Sequence, residues 1–177
     1  MARNVADTPR LRLRELSPDD AQFAYELNQD PEVIRYTGDG PFGSIEEAGD
    51  FLRAYDHYAR YGFGRWGVES KETGELLGWC GLKYTADVNE YDLGFRFFRR
   101  NWNKGYATES AMKSLEIGFN QFQMTEILGR VARDNHASRR VLEKVGMTFL
   151  RNDVCHDEDA FILSINGDSF RKLQCGL

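Results

Sequence analysis

Cysteine and histidine are scarce in this chain, and each scarcity removes a class of function. Three cysteines (Cys80, Cys155, Cys175) stand far apart in 177 residues, with no C-x-x-C pair. That spacing argues against both a disulfide framework and a zinc site. Only three histidines are present, and none joins acidic residues at ligand spacing, so no metal is expected. No apolar stretch approaches the roughly 20 residues of a membrane-spanning helix. No charged-then-apolar leader is visible either, which points to a cytoplasmic protein that works without a membrane. Basic runs are missing as well, and the formal net charge is −5, so nucleic acid is not the expected partner. Repeats, low-complexity segments and linkers are absent, and residues 1–177 read as one domain.

What is present is a core. Hydrophobic residues make up 41% of the chain and aromatics 13%, enough to bury a substantial interior. Arg10 to Leu16 alternates apolar and charged residues as a half-buried strand does. Ser17-Pro18 reads as a helix entry, with Ala21, Phe23, Ala24 and Leu27 as the apolar face. Asp30-Pro31 ends that helix or starts a new turn.

Gly38-Asp39-Gly40-Pro41-Phe42-Gly43 spells the letters of a dinucleotide fingerprint. It lacks the strand–turn–helix–strand unit that gives the motif its mechanism, and it leads instead into a capping box at Ser44 and Glu47. The helix after it carries Ala48, Phe51, Leu52 and Tyr55 and is expected to continue through Tyr58-Ala59. Strands are expected at 63–70, 76–84, 89–98, 126–132, 147–151 and 160–165, with helices at 104–122 and after Asn135. The order makes a mixed α/β fold of the α+β kind.

One segment carries chemistry. Arg99-Arg100-Asn101-Trp102-Asn103-Lys104-Gly105-Tyr106-Ala107-Thr108-Glu109 runs from a strand through a basic turn into an amphipathic helix. A helix start has backbone N–H groups without intrahelical partners and the positive end of the helix dipole. Cations there are unfavourable by roughly 0.3–1 kcal/mol each unless an anion joins them. A phosphate-bearing ligand is such an anion.

Taken in order, these residues resemble the GNAT superfamily of acyl-CoA-dependent N-acetyltransferases, and within it the RimJ/RimL-type branch. The resemblance runs through Leu11-Arg12-Leu13-Arg14, Leu77-Gly78-Trp79-Cys80-Gly81-Leu82, Asp92-Leu93-Gly94-Phe95 and the loop 102–109. It ends with Asn135-x-x-Ser138 and Glu143-Lys144-Val145-Gly146-Met147. The resemblance implies a single-domain GNAT-like fold, a mostly antiparallel sheet with two splayed parallel strands, here 89–98 and 126–132. It implies acetyl-CoA as cosubstrate, with no metal. The phosphate loop falls on Arg100 to Gly105, with Asn103 where the family has a glycine. Asparagine is the non-glycine residue best suited to left-handed backbone, so the loop geometry is expected to survive.

By the same resemblance the cofactor-binding residues are Phe97, Phe98, Arg99, Arg100, Asn103, Lys104, Gly105, Tyr106, Ala107, Thr108, Asn135, Ser138 and Arg140. An amide around Arg96 to Phe98 polarises the thioester carbonyl. Many relatives protonate the leaving thiolate with a tyrosine whose position is Leu142 here; Ser138 takes the role in the RimJ/RimL pattern. A serine hydroxyl is a far weaker acid than a thiol of pKa about 8.5, so Ser138 relays a proton from water. Asp92 and Glu90 share a strand face and are the candidates to take the amine's proton, directly or through water. Each also admits a plainer reading: Ser138 as part of a cap, Asp92 and Glu90 as orienting or solvent-facing carboxylates, Arg139 and Arg140 as a solvated helix face, Glu109 as a first-turn acid matched to the dipole. His136 is a base by type but follows a cap residue, where side chains point outward.

The implied reaction is direct attack of an amine on the thioester in a ternary complex. The acceptor stays open between a protein N-terminal α-amine and a small-molecule amine, and the assembly between monomer and homodimer. The alternative is a catalytically silent coenzyme A-binding sensor or interaction module.

Overall fold

A computed structural model describes residues 2–176. Two short strands, β1 (Asn4–Asp7) and β2 (Leu11–Arg14), open it as a hairpin. The alternation of β2 is real: Leu11 and Leu13 are fully buried, while Arg12 and Arg14 both reach Glu69 at 3.2 Å. A 3-10 turn (Pro18–Asp20) capped by Ser17 feeds α1 (Ala21–Leu27), and Asp30 caps the short α2 (Pro31–Ile34).

The expected capping box forms with one change. Ser44 accepts from the Glu47 amide at 3.1 Å, but Glu47 returns to the amide of Gly43 and not to that of Ser44. Helix α3 (Ile45–Ala54) then stops where Tyr55 turns extended, ψ 102°, and a separate α4 (His57–Tyr61) follows. The single helix through Ala59 is thus two. Phe51, expected on the buried stripe, is 55% exposed and lies against Phe42. Helix α2, not a strand, leads into Gly38–Gly43, so the dinucleotide motif has no scaffold.

The remaining elements are β3 (Arg65–Ser70), β4 (Leu76–Thr85), β5 (Glu90–Phe97), α5 (Tyr106–Asn120), β6 (Glu126–Ala132), α6 (His136–Lys144), β7 (Thr148–Cys155), β8 (Glu158–Asn166) and α7 (Gly167–Gln174). Strand β1, at the outer edge, and α7 were not expected from the sequence; β7 runs four residues past the expected Arg151.

One eight-stranded sheet results, in the order β1-β2-β3-β4-β5-β6-β8-β7. Every neighbouring pair is antiparallel except β5 and β6. Helix α5 covers one face, where Ala111, Leu115 and Phe119 meet Cys80, Leu82, Leu93 and Phe97 in the main core. Helix α6 joins it on that side: a Cβ on Gly129 would stand 2.7 Å from Leu142, so β6 is bare where the helix packs. A smaller cluster of Leu27, Val33, Phe98, Phe23 and Trp79 ties α1 and α2 to the far end of β5. Among the described residues no helix is long and apolar enough to cross a membrane.

Candidate active site

The sheet is incomplete at its centre. Strands β4 and β5 pair continuously from Thr85↔Glu90 to Gly78↔Phe97, and β6 and β8 from Glu126↔Asn166 to Ala132↔Ala160. Between them, β5 and β6 share the single pair Asp92↔Leu128. Beyond it no further pair joins the two strands among the described residues, a gap in the ladder that runs toward both C-terminal ends. The Phe98 amide donates to Leu77 on β4 at 3.1 Å. By strand alternation the amides of Phe95 and Phe97 then face the β6 side, along the gap. Trp102 seals one corner, its indole N–H donating to the Phe97 carbonyl at 2.9 Å.

The loop after β5 ends in the same place. A turn at Arg99–Asn101 is pinned by the Asn101 side-chain amide, which donates to the Leu77 carbonyl at 3.1 Å. Asn103 then takes left-handed backbone, φ 59°, as expected of it, and Gly105 takes φ 81° at the helix cap. Asp30, Ser44, Asn135 and Asn166 close their helices with a side chain that accepts from a first-turn amide. Gly105 has no side chain to do so, and α5 is the longest helix. Among the described residues, the amides from Asn103 to Thr108 find no acceptor; that of Glu109 is the first to close, on the Gly105 carbonyl at 3.0 Å. Open donors at a helix start, with the Arg99, Arg100 and Lys104 side chains exposed nearby, form a cradle for a diphosphate-sized anion.

This cradle is held from outside by residues the sequence did not mark. Arg10, in the β1–β2 turn, donates from Nε to Glu109 at 2.7 Å and from Nη1 to the Lys104 carbonyl at 3.0 Å, and it stacks on Tyr106. Thr8 and the Arg10 amide add bonds to Glu109 at 2.6 and 3.0 Å. Desolvation pushes the Glu109 carboxyl up, but these donors outweigh it and hold it below the usual glutamate range. Glu109 is therefore a tether between the sheet edge and the loop, beyond matching a dipole. The contact is about a hundred residues apart in sequence, which is why spacing gave no sign of it.

At the other rim, Asn135 caps α6 by accepting from the Ser138 amide at 3.1 Å. The Ser138 hydroxyl is half-buried and makes no hydrogen bond among the described residues. Arg139 is taken up by Glu143 at 2.8 Å and the Phe161 ring, whereas Arg140 is exposed and makes no ion pair among the described residues. His136 is exposed. Leu142 is 2% exposed and belongs to the core.

The two candidate bases are engaged. Asp92 pairs with Arg65, which also donates to the carbonyls of Gly81 and Asp92. Arg65 lies flat across the sheet because Gly94 is bare: a Cβ there would stand 2.7 Å from the guanidinium. Tyr55 accepts from the Arg65 amide at 2.8 Å and Tyr58 donates to its carbonyl, and burial pushes both phenols up. Glu90 pairs with Arg130 and with Arg151 at 3.1 Å, in a network that extends to Asp153. The structure places both carboxylates on one face, as alternation requires, but tied to different arginines.

On this face lies a cleft of about 350 Å³ walled by Leu16, Phe23, Phe42, Tyr55, Tyr58 and Trp79, with Arg65 and Arg96 at its polar end. Of the aromatic residues in the early segment, Phe63 and Trp66 are core, while Phe42, Tyr55 and Tyr58 shape this cleft. Cys80 is fully buried, with its thiol pushed up by burial and its Sγ 3.5 Å from Ser114. Among the described residues no group of His, Cys, Asp and Glu is arranged to hold a metal.

Known proteins share this architecture. The sequence description Acetyltransferase (GNAT) domain matches residues 10–148. The uncharacterized protein YkkB of Bacillus subtilis is 34% identical over 149 residues, 80% of this chain and 84% of its own length. The uncharacterized N-acetyltransferase YoaA of the same organism is 31% identical over 144 residues, covering 80% and 81%. Among solved structures, a GNAT-family acetyltransferase from Bacillus anthracis superposes with TM-score 0.79 at 25% identity, covering 95% of this chain and 99% of that one. A spermidine N-acetyltransferase from Vibrio cholerae, in complex with CoA and spermine, has TM-score 0.79 over 93% and 99% at 19% identity, a likeness of fold. A parallel strand pair that parts, an uncapped helix at its mouth and this match over most of the chain lead to one conclusion: the protein belongs to the GNAT acetyltransferase family and is an N-acetyltransferase.

Proposed function

We propose that the protein transfers the acetyl group of acetyl-CoA to a primary amine by direct attack in a ternary complex, with the residue pattern of the RimJ/RimL branch. The observation that carries this reading is the row of open amides from Asn103 to Thr108 beside the parted strands. Acetyl-CoA supplies an activated thioester; the chain's own groups supply position and polarity. The loop amides, with Arg99, Arg100 and Lys104, hold the diphosphate, and Arg140 stands free for a further phosphate. The pantetheine arm takes the place of a strand in the gap, and Asn135 and Ser138 stand at its rim.

A Phe97 or Phe95 amide facing the gap donates to the thioester carbonyl as negative charge grows on its oxygen. The amine nitrogen bonds to the carbonyl carbon, the C–S bond breaks, and the amine's surplus proton leaves to water. Asp92 and Glu90, each held by arginine, orient that water and do not stand alone as bases. The Ser138 hydroxyl passes a proton from water to the departing thiolate. Cys80 is sealed beneath α5, so no acyl-cysteine forms there.

Thermal unfolding with acetyl-CoA, and with NAD as control, tests the reading. A ligand at a hundred times its Kd adds about 2.7 kcal/mol, some 5–10 °C for a chain of this size. A rise with acetyl-CoA alone is expected; no rise refutes the cradle. Binding without transfer to any amine would instead identify a silent coenzyme A-binding module.

A further inference from the structure

The cleft beside the gap identifies the class of acceptor, given the transferase reading above. Its walls are apolar and aromatic, and its polar end holds two guanidiniums, both within 5.5 Å of the Trp79 ring centroid. Each is matched by one carboxylate, Arg65 by Asp92 and Arg96 by Asp39. Among the described residues the one carboxylate lining the cleft is Asp39, already paired with Arg96, so a polyamine would bring several ammonium groups and find no free anion for them.

Arg96 is the informative group. Its side chain is 10% exposed, yet its Nε is buried with no hydrogen-bond partner. Nη1 is used by Asn28 at 2.6 Å and Nη2 by Asp39 at 2.6 Å. In a guanidinium, Nε–H and the outer Nη2 group share one edge, the fork that a carboxylate fills with two parallel bonds. Asp39 fills half of that fork. It comes from the Gly38–Gly40 loop, and its own side chain is 55% exposed, so it is a carboxylate that a better-seated one can displace.

We propose that the acceptor is a small amine bearing both a carboxylate and a large apolar or aromatic group, an amino acid of the phenylalanine or leucine kind. Its carboxylate takes both positions of the Arg96 fork, and Asp39 withdraws. Its side chain lies among Phe23, Phe42, Tyr55 and Tyr58.

Calorimetry on the protein loaded with coenzyme A tests this, with L-phenylalanine, phenethylamine, spermidine and a phenylalanine-initiated tripeptide amide as probes. Phenylalanine binds, and phenethylamine, which lacks only the carboxylate, binds at least about tenfold more weakly, the loss expected of a charge-assisted pair. Arg96→Met brings phenylalanine down to the level of phenethylamine while coenzyme A still binds. Asp39→Asn, on an exposed loop, removes the internal competitor and tightens phenylalanine. Equal binding of phenylalanine and phenethylamine, tighter binding of spermidine or of the peptide, or a phenylalanine affinity unmoved in Arg96→Met overturns the proposal. Failure of coenzyme A itself to bind overturns the transferase reading instead, so the two failures are distinct.

Discussion

Replacing Gly105 with alanine separates the loop's role in the fold from its proposed role in holding coenzyme A. Gly105 sits at φ 81°, and a Cβ there would stand 3.2 Å from Arg10 Nη2, the guanidinium that clamps the loop. Left-handed backbone costs an alanine about 1–2 kcal/mol relative to its normal region. In a chain of 177 residues that lowers Tm by roughly 2–8 °C. The variant therefore folds. If the strain is relieved by rotating the peptide out of the left-handed region, the amides from Asn103 to Thr108 no longer converge. Each hydrogen bond to a charged group contributes about 1.5–3 kcal/mol, so losing one weakens coenzyme A roughly 10- to 150-fold. The decisive assay compares acetyl-CoA with acetyl-pantetheine, which carries the thioester but no diphosphate. Gly105→Ala is expected to lower kcat/KM for acetyl-CoA by that factor and leave acetyl-pantetheine nearly unchanged. An equal loss for both thioesters refutes the cradle.

Ser138→Ala is expected to lower kcat more than it raises KM, with a larger defect at high pH where relay protons are scarce; a change in KM alone makes Ser138 a binding residue. Asp92→Asn frees Arg65 from its carboxylate and should cost about 1–3 kcal/mol in chemical unfolding, while the pH dependence of kcat/KM keeps its shape; loss of the low-pH limb would instead make Asp92 the base. Glu109 has its folded pKa below its unfolded one, so its contribution to stability is complete above the ordinary glutamate range and is lost as pH falls through the folded value. Unfolding curves of the wild type and Glu109→Gln should therefore differ at pH 7 and converge in acid. Asn103→Gly relaxes a left-handed residue and should leave coenzyme A affinity equal or tighter; a tenfold loss would show that the asparagine side chain itself binds.

Local chemistry made much of the fold legible. Arg10 to Leu16 alternates because one face of β2 is buried, and Ser44 and Asn135 cap helices because their side-chain oxygens reach first-turn amides. The helix break at Tyr55 was not legible, because Tyr55 and Tyr58 are fixed by bonds to Arg65 on a strand not yet formed when the segment is read alone. Phe51 misled for a related reason: its spacing fits the apolar stripe, but the buried strip of α3 is Ala48, Gly49 and Leu52, and Phe51 meets Phe42 at the cleft instead.

The loop proposed to hold the diphosphate and the strands that frame it are determined by the sequence itself. A strand, a basic turn, a left-handed asparagine and glycine and an uncapped helix start are all short-range features, set by backbone sterics and unpaired amides. The partners of the charged groups are a different matter. Arg10 meets Glu109, Arg65 meets Asp92, Arg96 meets Asp39 and Arg130 meets Glu90 across 99, 27, 57 and 40 residues. An arginine reaches any carboxylate that the sheet order brings near, so its sequence neighbours say nothing of its choice. Only the tertiary structure shows which arginines the two candidate bases pair with and that Arg96 Nε lacks a partner, because strand register, and not composition, decides which charges share a face.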